Sequence, residues 1–149
     1  MKTFTRYHSS SLRKGRFSEP GRAYVITTVC QCRHPFFNDF SNARILINAL
    51  RMSDILGRTR TCCFVVMPDH LHWLFVLGDL SDLSQTVHAV KSISSRHIGR
   101  SPWQRGFHDH AIRDEEDIKP IARYIIANPI RAGIVRTLRD YSHWDAAWI

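Results

Sequence analysis

Apolar positions recur along the chain at two periods. Residues 23–32, Ala-Tyr-Val-Ile-Thr-Thr-Val-Cys-Gln-Cys, are rich in β-branched and aromatic side chains and predict a first strand. Ile45, Leu46, Ala49, Leu50, Met52 and Ile55 instead recur at helical spacing. They predict a helix capped by Ser41, running to about Leu56 and stopped by Gly57. Residues 61–67 and 70–77 are apolar runs interrupted only at Pro68-Asp69, which predicts two antiparallel strands joined by a turn. Ser81 or Asp82 caps a second helix to about Ile98, with Leu83, Val87, Val90 and Ile93 on its apolar face. A short strand follows over 107–113. Asp114-Glu115-Glu116-Asp117 then places acidic groups in the first turn of a third helix, where the helix dipole favours them. That helix should run to about Asn128, because the residue before Pro129 is pushed out of the α region. Pro129 can restart a short helix that Gly133 closes, and Trp144 and Trp148 predict a docked tail over 141–149.

The resulting order is strand, helix, strand, strand, helix, strand, helix. It matches an α+β fold of the ferredoxin-like split β-α-β-β-α-β type with one additional C-terminal helix. The whole chain, 1–149, is expected to form a single domain. In strand three, period-two geometry puts His70, His72, Leu74 and Val76 on one face, and Leu71, Trp73, Phe75 and Leu77 on the other. Both faces are apolar apart from the histidines, so both should be covered, the second one by the extra helix.

Charge narrows the partner. Lys plus Arg 21 against Asp plus Glu 13 leaves +8, a balance that suits a polyanion such as nucleic acid. Within 1–24, Lys2, Arg6, Arg13, Lys14, Arg16 and Arg22 face only Glu19. Residues 1–21 therefore read as a basic arm that a partner orders. No apolar run is long enough to span a bilayer and the N-terminus lacks a signal-peptide core, so the expected place is the cytoplasm, associated with the nucleoid, with no membrane partner. The four cysteines lack zinc-ribbon spacing; adjacent Cys62 and Cys63 should face opposite sides of a strand, and all four read as reduced thiols.

Two imidazoles projecting from one strand can converge on one metal ion, as His70 and His72 would. The plain alternative is two partly buried histidines hydrogen-bonded to neighbouring groups. Tyr124 and Asn128 stand four residues apart and share a helix face. Packed across the histidine face, they would bring a phenol and an amide oxygen beside two imidazoles. Those are the parts for metal-assisted phosphodiester cleavage by a tyrosine nucleophile, with neutral ligands leaving the ion's charge undiminished. Taken singly, Tyr124 also suits a packing residue and Asn128 a helix cap.

Three segments carry a resemblance: Val66-Met67-Pro68-Asp69-His70-Leu71-His72-Trp73, Trp103-Gln104-Arg105-Gly106-Phe107-His108-Asp109-His110, and 122–135, which includes Tyr124, Asn128, Pro129 and Gly133. His70-Leu71-His72 resembles the His-hydrophobe-His motif of single-tyrosine HUH endonucleases, and from about Tyr7 to Trp148 the chain resembles the REP-associated tyrosine transposases. The resemblance implies Tyr124 as nucleophile, with His70, His72 and Asn128 holding a divalent ion. Phosphoryl chemistry often uses Mg²⁺, and imidazole ligands suit Mn²⁺ or Zn²⁺; Mg²⁺ or Mn²⁺ is expected. It also implies single-stranded or hairpin DNA with palindromic repeats as substrate, cut through a 5′-phosphotyrosine, by a monomer, with a dimer as the alternative. Arg13, Lys14, Arg16, Lys91, Arg96, Trp103, Gln104, Arg105 and His110 are the candidate DNA contacts. Trp103 suits a base-stacking platform or a core plug equally. His108 and His110 flank a charged residue, which favours DNA contact or core hydrogen bonding over a second metal site. The alternatives are a metal-water nuclease and a repeat-DNA-binding protein without catalytic duty.

Overall fold

In the computed structural model of the chain, residues 18–113 and 117–147 are described. Five strands, β1 (Ala23–Val29), β2 (Thr59–Met67), β3 (His70–Leu77), β4 (His108–Ala111) and β5 (Trp144–Ala146), form one antiparallel sheet in the order β4-β1-β3-β2-β5. The helices are α1 (Phe40–Ile55), α2 (Leu83–Ile98), α3 (Ile118–Ile126) and the short α4 (Asn128–Arg131). The first four strands with α1 and α2 reproduce the split β-α-β-β-α-β arrangement expected from the sequence. Among the described residues no helix is long and apolar enough to cross a membrane.

The apolar alternation of β3 splits the core into two layers. Leu71, Trp73, Phe75 and Leu77 join Ile26, Phe64 and Val66 under α1 and α2. Leu74 joins Val25, Val65, Cys63 and Met67 on the other face, under Ala122, Ile125 and Ile126 of α3. The third helix therefore covers the face that carries His70 and His72, as the pattern required. Trp73 is fully buried, and its indole N–H donates to Thr61 Oγ1 at 3.0 Å, so the one polar atom of the largest core side chain is satisfied.

Several boundaries differ from expectation for identifiable reasons. β1 stops at Val29; Cys30 makes an isolated bridge to Trp103, and Cys32 and Arg33 turn into left-handed backbone at φ 53° and 55°. The α1 cap is Asp39, whose carboxylate accepts from Asn42 N–H at 3.2 Å, rather than Ser41. The packed side of α1 is Ala43, Leu46, Ile47 and Leu50, an i, i+3, i+4, i+7 set, which leaves Ile55 78% exposed. Cys62 and Cys63 lie in the same core layer, because a bulge between Thr61 and Cys63 breaks the alternation. All four cysteines are free thiols; Cys32 is exposed and the other three are buried. Asp117 caps α3, its carboxylate accepting from Lys119 N–H at 3.0 Å. Asp114, Glu115 and Glu116 lie outside the described residues, as do residues 1–17 and Trp148. The tail docks by adding β5 to the edge of β2, a strand the sequence pattern did not announce.

Candidate active site

His70 opens β3, and its hairpin is fixed from the side. Cys30 N–H donates to Asp69 O at 2.8 Å and Phe37 N–H to Pro68 O at 3.0 Å, so the segment after β1 clamps the turn that precedes the histidines. The two imidazoles stand edge to face with ring centroids 4.7 Å apart, and their Nε2 atoms approach to 3.1 Å. Their Nδ1 atoms are engaged elsewhere: His70 Nδ1 lies 2.6 Å from Asp69 Oδ1, and His72 Nδ1 lies 2.9 Å from Thr27 Oγ1. Thr27 reaches His72 because the two residues are directly opposite in the β1–β3 ladder.

These contacts determine which nitrogens are available. An ionised carboxylate only accepts, so Asp69 holds the His70 proton on Nδ1 and leaves the Nε2 lone pair facing His72. Burial alone would raise the Asp69 carboxyl; the hydrogen bond and charge of His70, with the charge of Arg33, outweigh it and hold the group below the usual carboxylate value. The Thr27 hydroxyl both donates and accepts, so it serves either tautomer of His72. His72 can thus donate Nε2–H to His70, or carry its proton on Nδ1 and turn a second lone pair to the same point. Two nitrogens 3.1 Å apart fit two ligands at about 2.0–2.1 Å from one ion. The carboxylate and hydroxyl behind them are the outer partners that metal-bound histidines generally have. Among the described residues no group of three or more His, Cys, Asp or Glu side chains gathers around a common point.

Tyr124 is half-buried on α3, one position before the core residue Ile125. The guanidinium of Arg131 lies 3.8 Å from the centre of the Tyr124 ring, and its Nη1 donates to Tyr124 O at 2.6 Å. This places a fixed positive charge against the phenol ring. Asn128 does not end the helix that carries Tyr124: α3 stops at Ile126, Ala127 forms the corner, and Asn128 is the first residue of α4, followed by Pro129. The two residues therefore sit on consecutive helices.

Of the candidate DNA contacts, Trp103 is 5% exposed, its ring 5.3 Å from that of Phe37 and its indole N–H donating to Ser94 Oγ at 3.0 Å. It is the core plug, since a buried ring with its donor satisfied offers no face to a base. Lys91 donates its ammonium to the carbonyls of Gln104 and Gly106 and so holds the loop on which Gln104 and Arg105 are exposed. Lys91 and Arg96 belong to α2, in the layer on the opposite face of the sheet from the histidine pair. On β4, His108 is opposite Thr27 and His110 opposite Val25, so both share the face of His72 and Leu74. Arg13, Lys14 and Arg16 lie outside the described residues. Sequence reasoning gave no role to Asp69, Thr27 or Arg131. Asp69 was visible as a carboxylate next to His70, whereas Thr27 depends on strand register and Arg131 on the corner at Ala127.

No family model matches the chain. A stretch of 81 residues, 52% of this chain, is 33% identical to a REP-associated tyrosine transposase of Escherichia coli K12, and it covers 48% of that protein. The chain thus spans about half the length of this relative. A Haemophilus influenzae protein provisionally named to the same family is 26% identical over 140 residues, covering 83% of this chain and 78% of that one. Among solved structures, a REP-associated tyrosine transposase bound to a REP hairpin is similar in fold, with a TM-score of 0.74 and 23% identity over 97% of this chain and 82% of that chain. A protein of Deinococcus radiodurans provisionally named a transposase is similar over 78% of this chain and 96% of that one, with 22% identity and a TM-score of 0.51. With the three sequence motifs in order on this shared fold, the chain is similar to the REP-associated tyrosine transposases in sequence and in fold.

Proposed function

We propose that this protein cuts and rejoins DNA strands by transesterification, with Tyr124 as the nucleophile and repeat-bearing hairpin or single-stranded DNA as the substrate. The observation that carries the reading is the convergence of His70 and His72 Nε2 at 3.1 Å on the sheet face that α3, the helix of Tyr124, covers. A relative of the same fold is bound to a REP hairpin, which supports hairpin DNA as the partner here. The formal charge of +8 supports it independently.

Tyr124 supplies the attacking oxygen. Its bond to phosphorus forms as the bond to the 3′ oxygen breaks, and the leaving oxygen takes up a proton to become a 3′-hydroxyl while the phenol gives one up. A 5′-phosphotyrosine conserves the bond energy, so attack by another 3′-hydroxyl can rejoin a strand. Arg131 holds the phenol ring and keeps a positive charge beside the phosphate that becomes attached to it. His70, His72 and Asn128 would hold a divalent ion, Mg²⁺ or Mn²⁺, which when bound polarises phosphate oxygens. Asp69 and Thr27 orient the two imidazoles. The basic arm and the exposed Gln104–Arg105 loop grip the DNA.

Incubation of labelled repeat hairpins with the protein and Mg²⁺ or Mn²⁺, followed by denaturing electrophoresis, tests this. Nicked DNA and a protein–DNA adduct are expected from wild type, and neither from Tyr124→Phe, which should still bind. Cleavage that persists in Tyr124→Phe would point to a nuclease whose metal activates water. Binding indifferent to EDTA, with no cleavage of any repeat, would point to a DNA-binding protein without catalytic duty.

A further inference from the structure

The segment after β1 and the loop after α2 make a second feature beside the histidine pair. Gln31 N–H donates to Pro102 O at 2.8 Å, and Gln104 N–H donates to Val29 O at 2.8 Å. On this stitched base, His34 packs edge-on against Phe36 with ring centroids 4.6 Å apart, and the Arg100 guanidinium lies 4.8 Å from the centre of the Phe36 ring. Arg33, His34 and Arg100 are exposed and Phe36 is half-buried. Arg33 reaches Asp69 Oδ2 at 3.4 Å, and the other oxygen of that carboxylate holds His70. The platform is therefore one carboxylate away from the histidine pair. The turn that presents it is strained: Cys32 and Arg33 are the only non-glycine residues at positive φ among the described residues. Two consecutive side chains persist in that conformation only where the surroundings impose it, and such strain concentrates at functional sites.

We propose that Arg33, His34, Phe36 and Arg100 form a binding platform for the single-stranded DNA that flanks the phosphate at the histidine pair. Two arginines and an imidazole suit the phosphates, and the exposed Arg100 guanidinium, supported by the Phe36 ring beneath it, gives a base a flat cation to stack on, a combination that grips single strands without reading sequence. An apolar protein partner fits less well, because the exposed groups are charged or polar. This assignment rests on the reading that the histidine pair addresses DNA, but not on Tyr124 being the nucleophile.

Because stacking tolerates any base, a fluorescein-labelled oligo-dT of about 20 nucleotides is a sufficient probe for fluorescence anisotropy across a salt series. Phe36→Leu is expected to weaken binding about fivefold to a hundredfold, the range for losing one stacked base. Arg100→Gln should lower the salt slope by about 0.7, one phosphate contact on a single strand. Arg51→Gln, the same charge change on α1 outside the platform, should leave the slope unchanged. Phe36 also packs against the core, so Arg100→Gln, at an exposed position, decides the matter if Phe36→Leu fails to fold. Unchanged affinity and slope in Arg100→Gln would overturn the platform, and so would an equal fall in Arg51→Gln or no oligo-dT binding by wild type. Weakened binding by the platform variants, together with an absence of cleavage by wild type, would sustain the platform and refute the catalytic reading alone.

Discussion

Asp69 and Thr27 decide which way His70 and His72 point, through contacts of 2.6 Å and 2.9 Å to the two Nδ1 atoms. Arg131 does the equivalent for the phenol, at 3.8 Å from the ring centre. Losing that guanidinium should slow adduct formation in a single turnover by about threefold to thirtyfold in Arg131→Gln, the worth of a well-placed cation on an aromatic ring. Arg131→Lys should recover part of the rate, and hairpin affinity should stay within about twofold; loss of rate and affinity together would mean that Arg131 only grips DNA. At His143, burial and then the charge of Arg44 hold the imidazole below its usual 6.5. The unfolded chain binds that proton more readily, so the residue costs nothing well above pH 6.5, and stability falls as pH drops from there toward the folded value. The urea midpoint should therefore fall less in His143→Gln than in wild type between about pH 7.5 and 5.5. Equal falls would remove His143 as a source of acid sensitivity.

At the scale of elements, Trp103 is the clearest case of structure deciding between two readings. It lies against Phe37, beneath the loop that Lys91 holds by its carbonyls. Trp103→Ala should cost about 3–5 kcal/mol in urea unfolding, as for other large core truncations; a cost below about 1 kcal/mol would mean the ring is not a plug. The elements most legible in the sequence were those whose signals are local. The start of β3 at His70 and a cap of α2 at Ser81 or Asp82 followed from neighbouring residues alone; the structure selects Asp82, with Gln85 closing a capping box. What depended on partners was not legible. The bulge at Cys62 exists only in the register of β2 against β3, and β5 is three residues long and forms only because β2 offers an edge. The break at Ala127 was half visible: Pro129 announced that a helix must end nearby, but not that Asn128 would begin the next one.

At the scale of the whole molecule, the sequence pattern required two covered sheet faces, and the two core layers meet that requirement. The histidines were legible because both stand on one strand. Their outer partners were not, because Thr27 meets His72 only through the pairing of β1 with β3. Net charge is also a property of the whole chain, and its largest concentration is Lys2, Arg6, Arg13, Lys14, Arg16 and Arg22 against Glu19. Deleting residues 1–16 should weaken DNA binding and lower the single-strand salt slope by about 2 if Arg13, Lys14 and Arg16 each neutralise one phosphate. Metal binding at His70 and His72 should survive the deletion; an unchanged slope would place the grip elsewhere.

The central claim is that Tyr124 becomes covalently joined to DNA, and peptide mapping of the adduct tests it most directly. The chain has four tyrosines: Tyr7, Tyr24, Tyr124 and Tyr141. Tyr24 is 5% exposed, and Tyr141 donates its hydroxyl to Val66 O, with burial pushing it up to about 12. Neither is placed to attack a phosphate. After reaction with a repeat hairpin and Mn²⁺, nuclease trimming and trypsin digestion, mass spectrometry should find the nucleotide on the peptide Tyr124-Ile-Ile-Ala-Asn-Pro-Ile-Arg131. A nucleotide on Tyr7, Tyr24 or Tyr141, or cleaved DNA with no modified peptide, would contradict the account.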